Sequence, residues 1–313
     1  ARPAQRQLAE SSSLLSDDAL PAVRFLTGDS AADVVGAPIE AAGGRLVSVR
    51  VRDVKYRPGS ELVVKYAAEI GWPGRAAKRE TIMAATSAAG AFEGTVPVSA
   101  LIDGQRVDVG VWRWPFDPVL VGLADAVTNH TVVRLCGLPD SSSIQVKVLA
   151  FRPTERAVVR VTTATDTFFV KVVPPAAVPT LVEVHRAADA AGVPVPRVRA
   201  SFADLGIVVF EELGGSLLKE HVKSGSGTLP APAEFDALAD RIAAIDADLP
   251  AAPSRVGYAV GHAAMLRSLD GAPHDQLDRL VNEFSRFLPD VALQPIHGDL
   301  HEGQVITEHG RVT

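Results

Sequence analysis

The sequence predicts an α+β protein of more than one domain, and three observations carry that expectation. A hairpin-like pattern occurs twice, about 95 residues apart. The last third holds apolar residues at helical spacing, and a dense polar turn lies between two apolar segments near the end. At 313 residues the chain is long enough for about two domains. Hydrophobic residues make up 47% and charged residues 22%, the balance of a globular chain rather than a disordered one or a coiled coil. Lys and Arg total 31 against 37 Asp and Glu, a formal charge of -6, so no nucleic-acid partner held mainly through its phosphates is expected. The single cysteine, Cys136, excludes an internal disulfide and a thiolate-rich zinc site, and it reads as a buried, inert thiol. No apolar run reaches the roughly 18 residues of a membrane helix, and the first residues lack a signal pattern. A soluble, cytoplasmic protein with no membrane partner is expected.

In chain order, the first element is the repeat. Residues 49–66 read VRVRDVKYRPGSELVVKY and residues 144–161 read IQVKVLAFRPTERAVVRV. Tyr56 lies over Phe151, Arg57-Pro58 over Arg152-Pro153, and Val63-Val64 over Val158-Val159. Each copy alternates apolar and polar residues, breaks at Arg-Pro, and resumes a β-branched run, which is how a β-hairpin reads. Only the second copy is expected to continue into a lysine-bearing third strand, TDTFFVKVV, with Lys171 inside the apolar run. The first copy runs into GWPGRAAKRETIMAATS, where Lys78 precedes the apolar run, and it reads as a scaffold. Between the copies Pro115 and Pro118 punctuate a strand-like segment before a short helix, which sets a boundary near residue 115. A second boundary falls near Gly214-Gly215, and a flexible insert, KSGSGTLPAP, follows it.

Beyond the insert, Phe235, Leu238, Ile242, Ile245 and Leu249 recur at three- and four-residue steps, as do Leu277, Leu280, Val281, Phe284, Phe287 and Leu288. Both stripes predict helices with a core-facing side. The densest polar cluster is QPIHGDLHEGQVI, residues 294–306, with His297, Asp299, His301, Glu302 and Gln304 inside eight residues. A loop between buried segments carries so many hydrogen-bonding groups when they are aimed at something. His297 and His301 stand four apart like two metal ligands on a helix, but Gly298 and Gly303 argue against a regular helix, and HExxH is absent. A metal-dependent hydrolase on His297, Asp299 and His301 is thus a competing reading. The GxSxG elbow, the Walker loop and GxGxxG are absent too, which removes most support for serine hydrolases, P-loop ATPases and dinucleotide oxidoreductases.

On four segments in order, the sequence resembles the aminoglycoside phosphotransferase family, which has the protein-kinase-like fold and includes choline kinases, maltokinases and glucosamine kinases. The segments are FFVKVV, LVEVHRAADAAGVPVPRV, GIVVFEELGG and HGDLHEGQV, and the resemblance covers about residues 144–306. It implies a bilobal fold with a small antiparallel-sheet lobe at 116–213 and a mainly helical lobe at 214–313. An N-terminal α+β domain at 1–115, resembling a duplicated part of the small lobe, precedes them. It implies magnesium-dependent transfer of the γ-phosphoryl of ATP, or GTP, to a hydroxyl of a small polar acceptor: a sugar, amino sugar or aminoglycoside. The competing reading within the fold is a catalytically inactive nucleotide-binding or regulatory module.

Phosphoryl transfer is mostly positioning and electrostatic stabilisation, and that explains the residue types the resemblance assigns. Asp299 is the implied catalytic base. Lys171 is the implied contact to the α- and β-phosphates, with Glu183 as its anion on a helix face turned to the sheet and His185 as the less favoured neighbour. The backbone at Phe210, Glu211, Glu212 and Leu213 is the implied adenine hinge. Gln304 stands where the family usually has asparagine and is the implied magnesium ligand, a departure that resembles the maltokinase and glucosamine kinase branch and favours a sugar. His297 would brace the loop, and His301 and Glu302 would lie near the acceptor. The turn RPTER has no glycine to close over phosphates; Arg152 and Arg156 read first as solvated hairpin arginines, with reach to the nucleotide from above as the alternative. The family also implies a second metal-binding aspartate soon after the loop. No aspartate follows Asp299, so the helical lobe is expected to continue past Thr313.

Overall fold

The computed structural model describes residues 6–7, 17–102, 105–225, 227–248, 255–267, 272–286 and 294–313. It forms two compact units, Ala1–Pro118 with Ala252–Asp290, and Val119–Ala251 with Val291–Thr313. Helix and antiparallel sheet are mixed in both, so the chain is α+β.

The first unit opens with β1 (Arg6–Gln7), α1 (Ala22–Thr27) and α2 (Ala31–Ala41), followed by β2 (Arg45–Arg57), β3 (Glu61–Gly71), β4 (Lys78–Ser87), β5 (Val96–Ile102) and β6 (Gln105–Arg113). The sheet order is β1-β5-β6-β4-β3-β2, antiparallel except at the β1/β5 edge. Strand alternation places Leu62, Val64, Tyr66, Ala68 and Ile70 on one face, where they are buried with Val23, Leu26, Val34 and Val35 of the two helices. The Tyr66 hydroxyl, inside this core, donates to the Leu26 carbonyl at 2.6 Å. The first copy of the hairpin therefore does continue into a third strand, β4, with Lys78 at its first residue. The partner of Leu62 on β4 lies 24 residues on, whereas the corresponding spacing in the second copy is 15, from Ala157 to Val172. The longer β3 and β4, more than the connection between them, hide the strand from a fixed-offset comparison.

The second unit has α3 (Leu123–Val127), α4 (Asn129–Leu135), β7 (Gln145–Arg152), β8 (Arg156–Thr162), β9 (Thr167–Val172), α5 (Val178–Ala190), β10 (Val198–Phe202) and β11 (Ile207–Glu211). β12 (Ser216–Leu217), α6 (Leu218–Ser224) and α7 (Pro232–Ala243) complete the run, and β13 (Ile306–Glu308) and β14 (Arg311–Val312) return at the end. The antiparallel sheet runs β10-β11-β9-β8-β7, and a small sheet runs β12-β13-β14. α3 packs on β7, β8 and β9, and α5 packs on the opposite face with Val178 and Val182 against Val208 and Phe210. Cys136 is fully buried, and burial, opposed by the Arg199 charge, pushes its thiol up to about 11, so it stays a neutral, inert thiol at physiological pH.

The two C-terminal stripes meet different fates. Leu238 and Ile242 on α7 are buried with Ala188 and Val193, and Ile245 packs beside them. On α9 (His274–Ser285), which packs with α8 (Arg255–Arg267), Leu280 is 63% and Phe284 43% exposed, so this stripe is not a core face among the described residues. Helical periodicity marks a face that an apolar surface can cover, but carries no information on what covers it. Leu249, Phe287 and Leu288 lie outside the described residues.

Candidate active site

The site is built on the α5 face of the second sheet. On β9, Phe169 and Lys171 alternate with the buried Phe168, Val170 and Val172, and their cross-strand partners are Arg160 and Val158 on β8 and Phe210 and Val208 on β11. Lys171 is half-buried. Burial first, then the Arg156 charge, holds its ammonium below the ordinary lysine range. Among the described residues no ion pair joins Lys171 to Glu183. The face of α5 that meets the sheet is set by Val178 and Val182, which are buried against Val208 and Phe210, while Ala188 is buried against Leu238 and Ile242 of α7, and Glu183 is exposed one step round from Val182. His185 falls on the inner side instead. Its ring lies 4.5 Å from that of Phe210, centroid to centroid, and Nδ1 is 3.4 Å from the Pro196 carbonyl.

The hinge strand is partly committed. Phe210 is buried, the Glu211 N–H donates to the Arg197 carbonyl at 3.0 Å, and the Glu212 N–H donates to the Thr167 carbonyl at 3.3 Å. Glu211 also faces Arg199 at 3.5 Å. Among the described residues Leu213 is the hinge position whose N–H has no main-chain partner. After it, Gly215 takes φ +109, and a Cβ there would come 2.8 Å from the Thr307 carbonyl, so glycine is required where the chain passes under the small sheet.

The polar turn is held by its own groups and by α6. Gln304 Nε2 donates to Asp299 Oδ2 at 3.2 Å, which leaves its carbonyl oxygen Oε1 beside a carboxylate. The Asp299 N–H donates to His297 Nδ1 at 3.4 Å, and the Gly303 N–H to His301 Nδ1 at 3.0 Å. His301 Nδ1 lies 3.9 Å from Glu302, whose carbonyl accepts the Lys219 N–H at 2.9 Å. Gly298 takes φ +78, a left-handed turn next to Asp299. All five polar side chains are exposed. Among the described residues no group of three His, Cys, Asp or Glu side chains is arranged to hold a metal ion, so the metal-hydrolase reading has no ligand cluster behind it.

Sheet face and turn share one cavity of about 880 Å³. Phe169, Arg160, His185 and Ala188 line it from the sheet and α5, Glu212 and Leu213 from the hinge, and His297, Leu300 and Gln304 from the turn. Of the expected residues, it brings together Glu212 and Leu213 at the hinge end, His297 and Gln304, whereas Asp299, Lys171, Glu183, Phe210, Glu211, His301 and Glu302 are not in its lining; Lys171 lies on the same sheet face as Phe169. Arg160 and Phe169 were not singled out from the sequence. The alternation Arg156, Val158, Arg160 against Phe169, Lys171 is the signal that places them there.

A family model described as a phosphotransferase enzyme family, APH, matches residues 150–313, more than half of the chain. The chain belongs to that family. Its members' phosphotransferase fold is the one expected from FFVKVV and HGDLHEGQV. A solved structure titled aminoglycoside-3'-phosphotransferase of type VIII is similar at 23% identity with a TM-score of 0.36, over 59% of this chain and 74% of that one. No curated protein matches. No helix among the described residues of this family member is long and apolar enough to cross a membrane.

Proposed function

We propose that the protein transfers the γ-phosphoryl of ATP, or GTP, to a hydroxyl of a small polar molecule, with a sugar, amino sugar or aminoglycoside as acceptor. The observation that carries this reading is the cavity of about 880 Å³, lined by Arg160 and Phe169 of the sheet face that bears Lys171 and by His297, Leu300 and Gln304 of the HGDLHEGQ turn, with Lys171 and Asp299 beside it rather than in its lining. Family membership supports the reaction class.

In this reading the adenine lies on Phe169 and pairs with the Leu213 backbone, at the end of the hinge formed by Phe210, Glu211 and Glu212. Lys171, half-desolvated and without a neutralising carboxylate, keeps its charge for the α- and β-phosphates. Asp299 accepts the acceptor hydroxyl's proton, and the amide N–H of Gln304 fixes its carboxylate. With its N–H so used, Gln304 turns Oε1 toward a hard cation, a donor that suits magnesium arriving with the triphosphate. Magnesium, when bound, neutralises charge on the transferred group. His297 braces the turn through the Asp299 N–H, and His301 and Glu302 face the acceptor. Residues 116–213 and 214–313 are assigned to the two lobes and residues 1–115 to the extra domain, with the Ala252–Asp290 part of the second lobe grouping with the first compact unit. The cytoplasm, which supplies ATP and magnesium, is the compartment.

The test is an ATP-consumption screen across sugars, amino sugars, aminoglycosides and choline, with Asp299→Asn as control. Loss of a general base lowers the rate by about 10²- to 10⁴-fold. Near wild-type turnover in Asp299→Asn removes the base assignment. Nucleotide binding that needs no magnesium, with no phosphorylated product from any acceptor, replaces the kinase reading with the inactive binding module.

A further inference from the structure

We propose that His185, as a neutral imidazole, is the positioning residue for Lys171, standing where a carboxylate would otherwise hold the lysine and offering Nε2 as acceptor to its ammonium. Three features of the structure lead there. The phase of α5 sends Glu183 to solvent and His185 into the cavity wall. The ring is fixed from two sides, by the Phe210 ring at 4.5 Å and by the Pro196 carbonyl 3.4 Å from Nδ1. A carbonyl only accepts, so Nδ1 carries the proton and Nε2 is the bare nitrogen of the neutral ring. The third feature is that Lys171 has no ion-pair partner among the described residues.

Electrostatics runs the same way. Burial lowers the His185 pKa, the Pro196 contact raises it, and the Lys171 charge lowers it again, so the ring is neutral at physiological pH. The groups around the cavity that face it are Arg160 from β8, Glu212 from the hinge, Glu220 from α6 and His297 from the turn. Lys171 and Arg156 stand on the same sheet face. A carboxylate partner would cancel part of the lysine's charge, whereas a neutral imidazole orients the ammonium and leaves the full charge for an anion. Acid protonates His185, removes the acceptor and adds a repelling cation. Anion binding at Lys171 is therefore expected to lose its orientation as pH falls below the histidine's value.

What Lys171 binds rests on the phosphotransferase reading; the coupling between the two side chains does not. Two measurements separate them. In the first, the His185 ring resonance is titrated by NMR in the full chain and in Lys171→Met. The wild-type midpoint is expected below the ordinary histidine value and to move up in Lys171→Met; an unmoved midpoint overturns the proposal whether or not ATP binds. In the second, ATP affinity is measured by calorimetry from pH 5.5 to 8. Wild type is expected to weaken about tenfold toward acid. His185→Gln, which keeps an acceptor that does not titrate, is expected to stay within about threefold of neutral-pH wild type and to lose the acid limb. His185→Leu weakens binding at every pH. An acid limb that persists in His185→Gln overturns the proposal, and no ATP binding at all removes the kinase reading while the NMR result still decides the coupling.

Discussion

Residues 22–113 and 123–211 share two short helices followed by five strands, with α5 inserted between the third and fourth strands of the second run. The sheet orders are β5-β6-β4-β3-β2 and β10-β11-β9-β8-β7, every neighbour antiparallel, so each strand has a counterpart in the same place. The registers agree residue by residue at the first turn, where Arg57 pairs with Glu61 and Arg152 with Arg156. The preceding helices cover the same face, carrying Leu62, Val64 and Tyr66 in one copy and Ala157, Val159 and Val161 in the other.

The opposite faces have diverged. Val63 pairs with Ala85 where Val158 pairs with Lys171, and Met83, Ala85 and Trp112 stand for Phe169, Lys171 and Phe210. All of the first set are buried. Helix α5 has no counterpart, and a turn of residues 88–95 lies there instead. Its Phe92 ring sits 6.4 Å from Trp112, as His185 sits by Phe210, and Thr95 fills the space above Gly110 where the other copy has Val208. One scaffold thus covers part of that face with α5, packed on β10 and β11, and leaves a cavity beside it, and seals the same face in the other copy with a short turn. The sealed face carries Ala85 where the other carries Lys171.

The sharpest test of that contrast exchanges the two residues at the lysine position. Ala85→Lys places an ammonium among Val63, Met83 and Trp112 with no carboxylate at hand, and is expected to destabilise by about 3–5 kcal/mol in urea unfolding. Lys171→Met removes a charge already penalised by burial, so stability holds or rises while phosphoryl transfer falls. A stable Ala85→Lys variant shows that the first face has a cation-accepting cleft, and the contrast fails.

How much of this was legible beforehand differs by element. The hairpins were readable because Arg-Pro and the flanking β-branched runs recur at one offset. The strand after them was not, since the longer β3 and β4 break the offset and alanine at position 85 carries no chemical flag. Each group of the polar turn could be named from the sequence, because glycines and hydrogen-bonding side chains between apolar segments have few other uses. The phase of α5 could not be read from its sequence, since its alanines are tolerated on either face. Val178 and Val182 decide it, and with it the exchange of Glu183 for His185 beside the sheet.

Smaller effects refine the comparison on the shared face. Tyr66 occupies the position of Val161 and donates to the Leu26 carbonyl at 2.6 Å; burial pushes its phenol up, so it stays a donor at any physiological pH. Tyr66→Phe leaves that carbonyl at the end of α1 unpaired and is expected to cost about 1–3 kcal/mol by the same unfolding measurement. A neutral result means that water reaches α1 and the first core is looser than the second. The first hairpin also carries a clamp. Asp17 accepts from the Tyr56 hydroxyl and the Gly59 N–H, both at 2.8 Å, and from Ala19 and Leu20. Burial alone would raise its pKa, but these donors outweigh it and hold the carboxyl below the ordinary value. A depressed carboxylate stabilises above its unfolded pKa of 3.8 and loses that contribution as pH falls through the folded value. Asp17→Asn is expected to lower stability by about 1 kcal/mol at neutral pH and to flatten the decline below pH ~4. An unchanged acid limb means that the clamp is not coupled to folding.

The smallest difference concerns the turn itself. Gly59 takes φ +66 and Thr154, its counterpart, φ +62, so both hairpins close through the left-handed region and only one uses the residue suited to it. Nothing lies within 4 Å of a Cβ added at Gly59, so Gly59→Ala isolates backbone strain from packing and is expected to cost about 1 kcal/mol. Thr154 is 8% exposed, so Thr154→Gly relieves similar strain but uncovers a buried side chain, and its net gain is expected to be smaller than the Gly59→Ala loss. Differential scanning calorimetry of the two variants decides it. A neutral Gly59→Ala shows that the first turn relaxes to another conformation without penalty, and the two hairpins then share a register but not a backbone.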